Sequence, residues 1–536
     1  MELIDQHAKK IMEECKERAR SAGLQFADET IEYIVTNRDM LDLSPKIMIP
    51  TLYDYWVHDV EVLKEYAKYK LYPSNPYETV INSRPAISYY NDNNPDWMNI
   101  MIFYHVIGHI DFFQNNILFQ KTWNDDFVGQ ALADKRLMES LRGEYGRWVD
   151  YAIEFSRNAD NLVGFFNTMI GNNFNQEQET GSRLEFYFDN FLQDLVKAQQ
   201  MEIYNEIERY NSLVAQNKDL AESIFFTDVR TRYPEFQSKF ERYQNRSHKK
   251  NYTDVMQFIH DFSPFLRQEK NTWIKLIMNV VRNTSMYFQP QIRTKIINEG
   301  WASYWHDKLF RMDDRIIGHE SDYARLNANV TSISRVGLNP YAIGLRLIEY
   351  VEELADKGKI SHDFQKIENI ETRNNFNLNT QTGKETIFDL RKNFSDFMLV
   401  NTYTNQEFVD KHNLFVVGKR LNQQRKVYEY YVKSRKAADY KQMLIDSLYH
   451  PPRIEIDLKN TNDQNLSLIH SFENKQLIKD FIPDTLMGIE FLWGSQVQLQ
   501  TTEIVPNRSK TPLVLEYKKV RYTMKDKKLN KEYIDQ

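Results

Sequence analysis

Two histidines stand four residues apart in the stretch His105-Val106-Ile107-Gly108-His109. Residues at this spacing lie on one face of a helix, one turn from each other, so both imidazoles can bind the same metal ion. The surrounding residues are apolar, and imidazoles inside an apolar helix must find partners. We therefore predict a metal site here. Two core histidines that hydrogen-bond to the backbone would give the same pattern.

A carboxylate and a further imidazole occur together in INEGWASYWH, residues 297–306. Glu299 and His306 are seven residues apart and share a helix face, and the small Gly300 and Ala302 would let another helix approach closely. A surface glutamate and a capping histidine would explain the pair equally well. If both segments meet, a mixed nitrogen and oxygen site suits a divalent metal, with zinc as the first expectation. The predicted ligands are His105, His109, Glu299 and His306.

The elements that must hold these residues are predicted to be helices. Hydrophobic periodicity indicates helices over 97–120, 291–312 and 340–356, and the low content of 17 Gly and 15 Pro favours helices throughout. After the polar stretch 373–384, segments rich in β-branched and aromatic residues alternate with helical patterns. We predict a mostly α N-terminal domain (1–375), a small α+β C-terminal domain (385–505) and a loose basic tail (506–536).

Composition excludes several classes of protein. The net charge of −6 gives no surplus of cations for nucleic acid. The single cysteine, Cys15, cannot form an internal disulfide, which indicates a reducing compartment. The N-terminus is predicted to be an amphipathic helix, not a signal peptide, and no charge-free apolar run is long enough to span a membrane. We expect a cytoplasmic protein.

Several stretches resemble the stage V sporulation protein R (SpoVR) family. HVIGHIDFFQNN (105–116) and YFQPQIRTKIINEGWASYWH (287–306) are similar to its two hallmark segments, and LNPYAIGLRLIEYVEE (338–353) agrees as well. The resemblance implies a role in spore cortex formation, or in stress and stationary-phase regulation. It also implies a PrkA-type serine kinase and a small von Willebrand-type protein as partners. No reaction is attached to the family.

The metal pattern is also similar, more loosely, to gluzincin metallopeptidases, which combine H-E-x-x-H on one helix with a later N-E-x-x-A. Here Val106 stands where those enzymes have the glutamate that acts as general base, so ordinary peptidase chemistry is not expected. Asn283 and Thr284 replace an acidic pair that SpoVR proteins usually carry, which makes this a divergent member. Two functions stay open: a metal-binding regulatory or scaffolding protein, and a metal-dependent hydrolase that acts on peptide or amide bonds of cell-wall material. The missing base favours the first.

Overall fold

The structure is a computed structural model. It describes residues 2–27, 29–36, 39, 78–122, 126–163, 183–188, 191–192, 200–216, 221–241, 254–334, 337–423, 426–448, 452–472, 476–507 and 514–534. These residues form many helices and, towards the C-terminus, a small β-sheet region, so the predicted fold class is confirmed.

The helices are, in chain order, Gln6–Ser21 (α1), Asp96–Asn115 (α2), Phe127–Tyr145 (α3), Trp148–Arg157 (α4), Arg183–Glu185 (α5), Gln200–Gln216 (α6), Ala221–Arg232 (α7), Val255–Phe262 (α8), Thr272–Arg293 (α9), Lys295–Phe310 (α10), Glu320–Val330 (α11), Pro340–Asp356 (α12), His362–Gln365 (α13), Ile370–Asn375 (α14), Gly383–Asn393 (α15), Asp396–Tyr403 (α16), Gln406–Lys411 (α17), Ala437–Ser447 (α18) and Ile482–Trp493 (α19). Short 3-10 helices cover Ile117–Thr122, Asp160–Leu162, Glu269–Asn271, Asp314–Ile316 and Lys479–Phe481.

The strands are Glu2–Leu3 (β1), Thr30–Val35 (β2), Glu78–Ile81 (β3), Ala86–Asn91 (β4), Val416–Asn422 (β5), Val427–Ser434 (β6), Ile454–Ile456 (β7), Asn465–His470 (β8), Gln496–Asn507 (β9), Val514–Lys525 (β10) and Lys528–Tyr533 (β11). One sheet has the order β1-β2-β4-β3, with β2 and β4 parallel. A second has the order β11-β10-β9-β8-β7, with β8 and β9 parallel, and β5 pairs with β6 as a hairpin.

The chain forms two compact units, each made of two separate stretches. One unit comprises residues 1–151 and 283–451, and the other comprises residues 152–282 and 452–536. This division differs from the contiguous one that composition suggests, because the C-terminal sheet region packs on helices from the middle of the chain. In the second unit Ser263 donates a hydrogen bond of 2.7 Å to the carbonyl of Leu492, and Phe155 stacks on Phe491.

The basic segment predicted to be a loose tail is instead folded where the structure describes it. Strands β10 and β11 form a hairpin and complete the five-stranded sheet. Val520, Tyr522 and Met524 alternate with polar residues and are buried, so one face of β10 belongs to the core. Lys519, Arg521 and Lys525 lie on the other face of β10, and their charges obscure this alternation in the sequence.

In the first unit, α2 is the central helix. Every residue from Asn99 to Phe113 is buried, as expected for a helix that is apolar on all sides. Helix α10 packs beside it, and the carboxylate of Asp396 caps α10 by accepting hydrogen bonds of 2.9 and 2.8 Å from the amides of Ile296 and Ile297. In the part of the chain that the structure describes, no helix is long and apolar enough to cross a membrane.

Candidate metal centre

Helix α2 presents His105 and His109 from adjacent turns of its buried length. Their exposed fractions are 5% and 7%. The two rings lie edge to face, with centroids 4.6 Å apart. The four-residue spacing therefore brings the two imidazoles together, as the sequence predicts.

Helix α10 adds Glu299 to this pair. The Oε2 atom of Glu299 lies 3.7 Å from Nε2 of His105 and 3.5 Å from Nε2 of His109. One ligand atom from each of the three residues can be chosen so that all of them lie within 4.8 Å of one another. Residues from two helices, about 190 positions apart in sequence, thus form a single cluster.

Small residues allow the helices to come this close. A Cβ added to Gly108 would lie 2.8 Å from the Cα of Ala302, so α2 and α10 cross almost in backbone contact. A Cβ on Gly300 would lie 2.3 Å from the carbonyl carbon of Gly344, so α12 crosses the other side of α10 just as closely. Gly108 is adjacent to His109, and Gly300 is adjacent to Glu299. The two helix crossings therefore determine where these predicted ligands lie.

The geometry fits a zinc ion. Zinc bonds to imidazole nitrogen and carboxylate oxygen are about 2.0–2.2 Å long, which places neighbouring ligand atoms of a tetrahedral site about 3.3 Å apart. The distances of 3.5 and 3.7 Å from Glu299 Oε2 are close to that value. This Oε2 atom is buried and accepts no hydrogen bond from the described residues, a costly state for a carboxylate unless a cation binds it.

The other ring nitrogen of each candidate ligand contacts a polar side chain. Nδ1 of His109 lies 3.0 Å from Oδ1 of Asn298, and Nδ1 of His105 lies 2.8 Å from Nδ1 of His306. An amide oxygen only accepts, so His109 donates from Nδ1 and keeps the lone pair of Nε2 for a metal. Partners of this kind fix the tautomer and the orientation of metal-binding histidines.

His306 is outside the group of three potential ligands. It contacts His105 on the ring nitrogen that does not face Glu299. Its Nδ1 contacts His105, and its Nε2 lies 3.1 Å from Oδ1 of Asn327. Burial and the neighbouring His105 lower the pKa of His306 to about 3, so its ring is neutral at physiological pH. Both nitrogens of His306 are thus engaged. The fourth predicted ligand is placed where it orients His105.

Comparison with known proteins agrees with the sequence motifs. A family model described as SpoVR like protein matches residues 4–450, which include both site helices. The chain belongs to the SpoVR family. It is 21% identical over 488 residues to the uncharacterized protein YcgB of Escherichia coli (strain K12), and the match covers 87% of this chain and 86% of that protein. No solved structure matches it. The looser resemblance to gluzincin peptidases is not tested by these comparisons and stays a prediction.

The cluster of this SpoVR-family chain favours the ionised form of Glu299. Burial by itself raises the pKa of Glu299, but the imidazoles of His105 and His109 outweigh it and hold the pKa below its usual value. Tyr341, in the first turn of α12, also lowers this pKa by a hydrogen bond, and its ring stacks on His105 with centroids 5.9 Å apart. An ionised carboxylate is the form that binds a cation.

Among the described residues, an apolar side chain takes the place of the carboxylate that a peptidase would use as its base. Val106 is fully buried and apolar. Asp111 accepts hydrogen bonds from the backbone of Gln25 (2.7 Å) and from Nε1 of Trp301 (2.8 Å), so it is directed away from the ligands, as the helical spacing predicts. Asn283 is exposed and Thr284 is buried on α9. Neither residue can replace an acid.

Three residues of the site were not predicted as part of it. Asn298 is the asparagine of the N-E-x-x-A pattern, which predicts the adjacent Glu299 as a ligand. The pattern does not predict that Asn298 itself forms a hydrogen bond with His109. Asn327 and Tyr341 lie on α11 and α12, outside the two site helices. No spacing rule connects residues on separate helices, and only the tertiary structure brings them to the histidines.

Proposed function

We propose that this SpoVR-family protein binds one zinc ion through His105, His109 and Glu299, and that it acts as a regulatory or scaffolding protein. The observation that carries the proposal is the spacing of the three ligand atoms, with Glu299 Oε2 lying 3.7 and 3.5 Å from the two Nε2 atoms. The hydrogen bonds at Nδ1 of both imidazoles support the proposal, since they leave Nε2 of each ring facing the carboxylate of Glu299.

The proposed ion would stabilise the fold, because its ligands belong to two different helices. His105 and His109 belong to α2, whereas Glu299 belongs to α10. Unfolding separates these helices, so the free energy of metal binding adds to the free energy of unfolding. The buried carboxylate lies between two imidazoles at distances too long for good hydrogen bonds, so a shared cation would stabilise it more than they do. Loss of the ion is therefore expected to loosen the crossing of α2 and α10.

A metal-dependent hydrolase that acts on peptide or amide bonds of cell-wall material is the second candidate. The observation in its favour is the number of ligands, because catalytic zinc sites commonly have three protein ligands and an open fourth position. Hydrolysis also needs a group that takes the proton of the attacking water and delivers it to the leaving amine. Val106 cannot do this, and we therefore place the regulatory function first.

The biological setting of the proposal comes from the family. We infer a role in spore cortex formation or in stress and stationary-phase regulation, with a PrkA-type serine kinase and a von Willebrand-type protein as partners. Membership of the SpoVR family supports this setting. The partners stay a prediction.

The variant Glu299→Gln separates the two functions, because it nearly preserves shape while it weakens metal binding. Its melting temperature, its abundance in cells and its ability to restore the phenotype of a deletion strain should be measured beside an exposed control, Glu371→Gln. A regulatory protein with a structural metal should melt early and lose function in proportion to its abundance. A variant that is as stable as the wild type and yet fails to restore the phenotype would instead favour the hydrolase.

A further inference from the structure

A cavity beside α15 lies in the same unit as the candidate metal centre. Its volume is about 750 Å³, within the range of small-molecule sites. One side of α15 lines it together with the end of α2 and the backbone near Gly23. None of the three candidate metal ligands lines this cavity. It is therefore a separate site.

Arg391 is the buried cation of the cavity. It is only 4% exposed, and its Nε and Nη1 atoms make no hydrogen bond with the described residues. The carboxylate of Asp111 lies 3.5 Å from Nη1, longer than the 2.7–2.9 Å of a charge-assisted hydrogen bond. Each oxygen of Asp111 already accepts a shorter hydrogen bond, from Gln25 and from Trp301. The guanidinium therefore keeps hydrogen-bond donors that no acceptor satisfies.

The end of α2 contributes a second unsatisfied donor to the cavity. The Oε1 atom of Gln114 accepts a hydrogen bond of 2.7 Å from the amide of Ala27, whereas its buried Nε2 finds no acceptor in the described residues. Lys384 and Lys392 also line the cavity. Buried donors without acceptors are costly, so a ligand that brings acceptors would relieve the cost of both.

The balance of charge limits the kind of ligand. Glu385 and Asp389 lie on the same wall as the lysines, so the cavity as a whole has little net charge. A polyanion such as nucleic acid needs a surplus of cations and is not favoured here. We propose that the cavity binds a small molecule through one oxyanion group, a carboxylate or a phosphate, which accepts hydrogen bonds from Arg391 and Gln114. The planar guanidinium of Arg391 can donate two parallel hydrogen bonds to either a carboxylate or a phosphate.

Calorimetric titration of the full chain tests this proposal with three probes: glycylglycine, glycylglycine amide and inorganic phosphate. The amide lacks the carboxylate and serves as the matched control ligand. Each titration should be repeated with chelator, so that binding at the metal centre is recognised. We expect glycylglycine or phosphate to bind in the millimolar range and the amide not to bind. The probe that binds identifies the source of the oxyanion.

Two variants locate the binding. Gln114→Glu keeps the acceptor for Ala27 but replaces the free donor by an oxygen, and it should weaken binding at least about tenfold. Arg391→Lys should weaken it similarly, and Lys366→Gln, at an exposed position that does not line the cavity, should leave it unchanged. If Arg391→Lys fails to fold, Gln114→Glu decides. The proposal is overturned if neither oxyanion binds, or if Gln114→Glu binds as tightly as the wild type.

Discussion

The Nδ1 atoms of His105 and His306 lie 2.8 Å apart, so one ring donates a hydrogen bond to the other. Nε2 of His306 contacts the amide oxygen of Asn327, which can only accept, and His306 must therefore carry its proton on Nε2. Its Nδ1 is then the acceptor, and His105 donates from Nδ1. This chain of hydrogen bonds leaves Nε2 of His105 with a lone pair on the side of Glu299, where the proposed zinc ion would bind.

Replacing His306 by Leu should weaken zinc binding without removing a ligand. His105 would lose the acceptor that fixes its tautomer, and outer partners of this kind typically contribute about 10–100-fold in metal affinity. Competition with a chromophoric chelator measures the change. His362→Gln, an exposed histidine, is the control and should bind zinc like the wild type. Equal affinities for His306→Leu and the wild type would show that His306 has no orienting role.

The crossing of α10 and α12 should not tolerate a methyl group. In Gly300→Ala the new Cβ would lie 2.3 Å from the carbonyl carbon of Gly344, so the helices must separate, at a cost of about 1–3 kcal/mol or more. Urea denaturation in the presence of chelator measures this cost independently of the metal. Gly143→Ala on α3 is the matched control. Its Cβ would meet nothing within 4 Å, and it should leave stability unchanged or raise it.

The sequence predicts the site residues that share a helix with another site residue, and it does not predict the contacts between different helices. The pair His105 and His109 follows from a four-residue spacing, and Glu299 follows from its seven-residue spacing to His306 beside small residues. His306 was placed among the ligands because it shares a helix face with Glu299. Its real position depends on Asn327, which belongs to another helix, and helical spacing carries no information about such contacts.

The fold was predictable to a similar degree. Helix α12 was predicted over 340–356 and spans Pro340–Asp356, since Asn339 and Pro340 mark its start by capping and by backbone geometry. The N-terminal sheet was not predicted, because its strands are short and far apart in sequence. The hairpin of β10 and β11 was not predicted, because its frequent lysines obscure the alternation of apolar and polar residues. Asp526 and Lys527 have positive φ and form its two-residue turn.

The carboxylate of Asp313 should give the protein a specific sensitivity to acid. Burial alone would raise the pKa of Asp313, but hydrogen bonds from Arg315 and Tyr104 outweigh it and lower the pKa to about 2. The unfolded value is about 3.9, so ionised Asp313 stabilises the fold above about pH 4, by about 2 kcal/mol. This stabilisation is lost as the pH falls from about 4 to about 2.

Urea denaturation between neutral and acid pH compares the wild type with Asp313→Asn. The variant should be less stable at neutral pH by about 2 kcal/mol, and the difference should shrink as the pH falls through the pKa of Asp313. The exposed Asp363→Asn serves as the control and should follow the wild type. A difference that does not change with pH would mean that the carboxylate contributes by shape and not by charge.

The metal content of the purified protein tests the central claim most directly. Elemental analysis of protein prepared without chelator should find one zinc per chain, and protein stripped with chelator should take up one equivalent on titration. His109→Ala should carry none and should melt at a clearly lower temperature, because it loses a ligand that joins α2 to α10. Wild-type protein that contains well under one metal per chain and takes up none on titration would contradict the account.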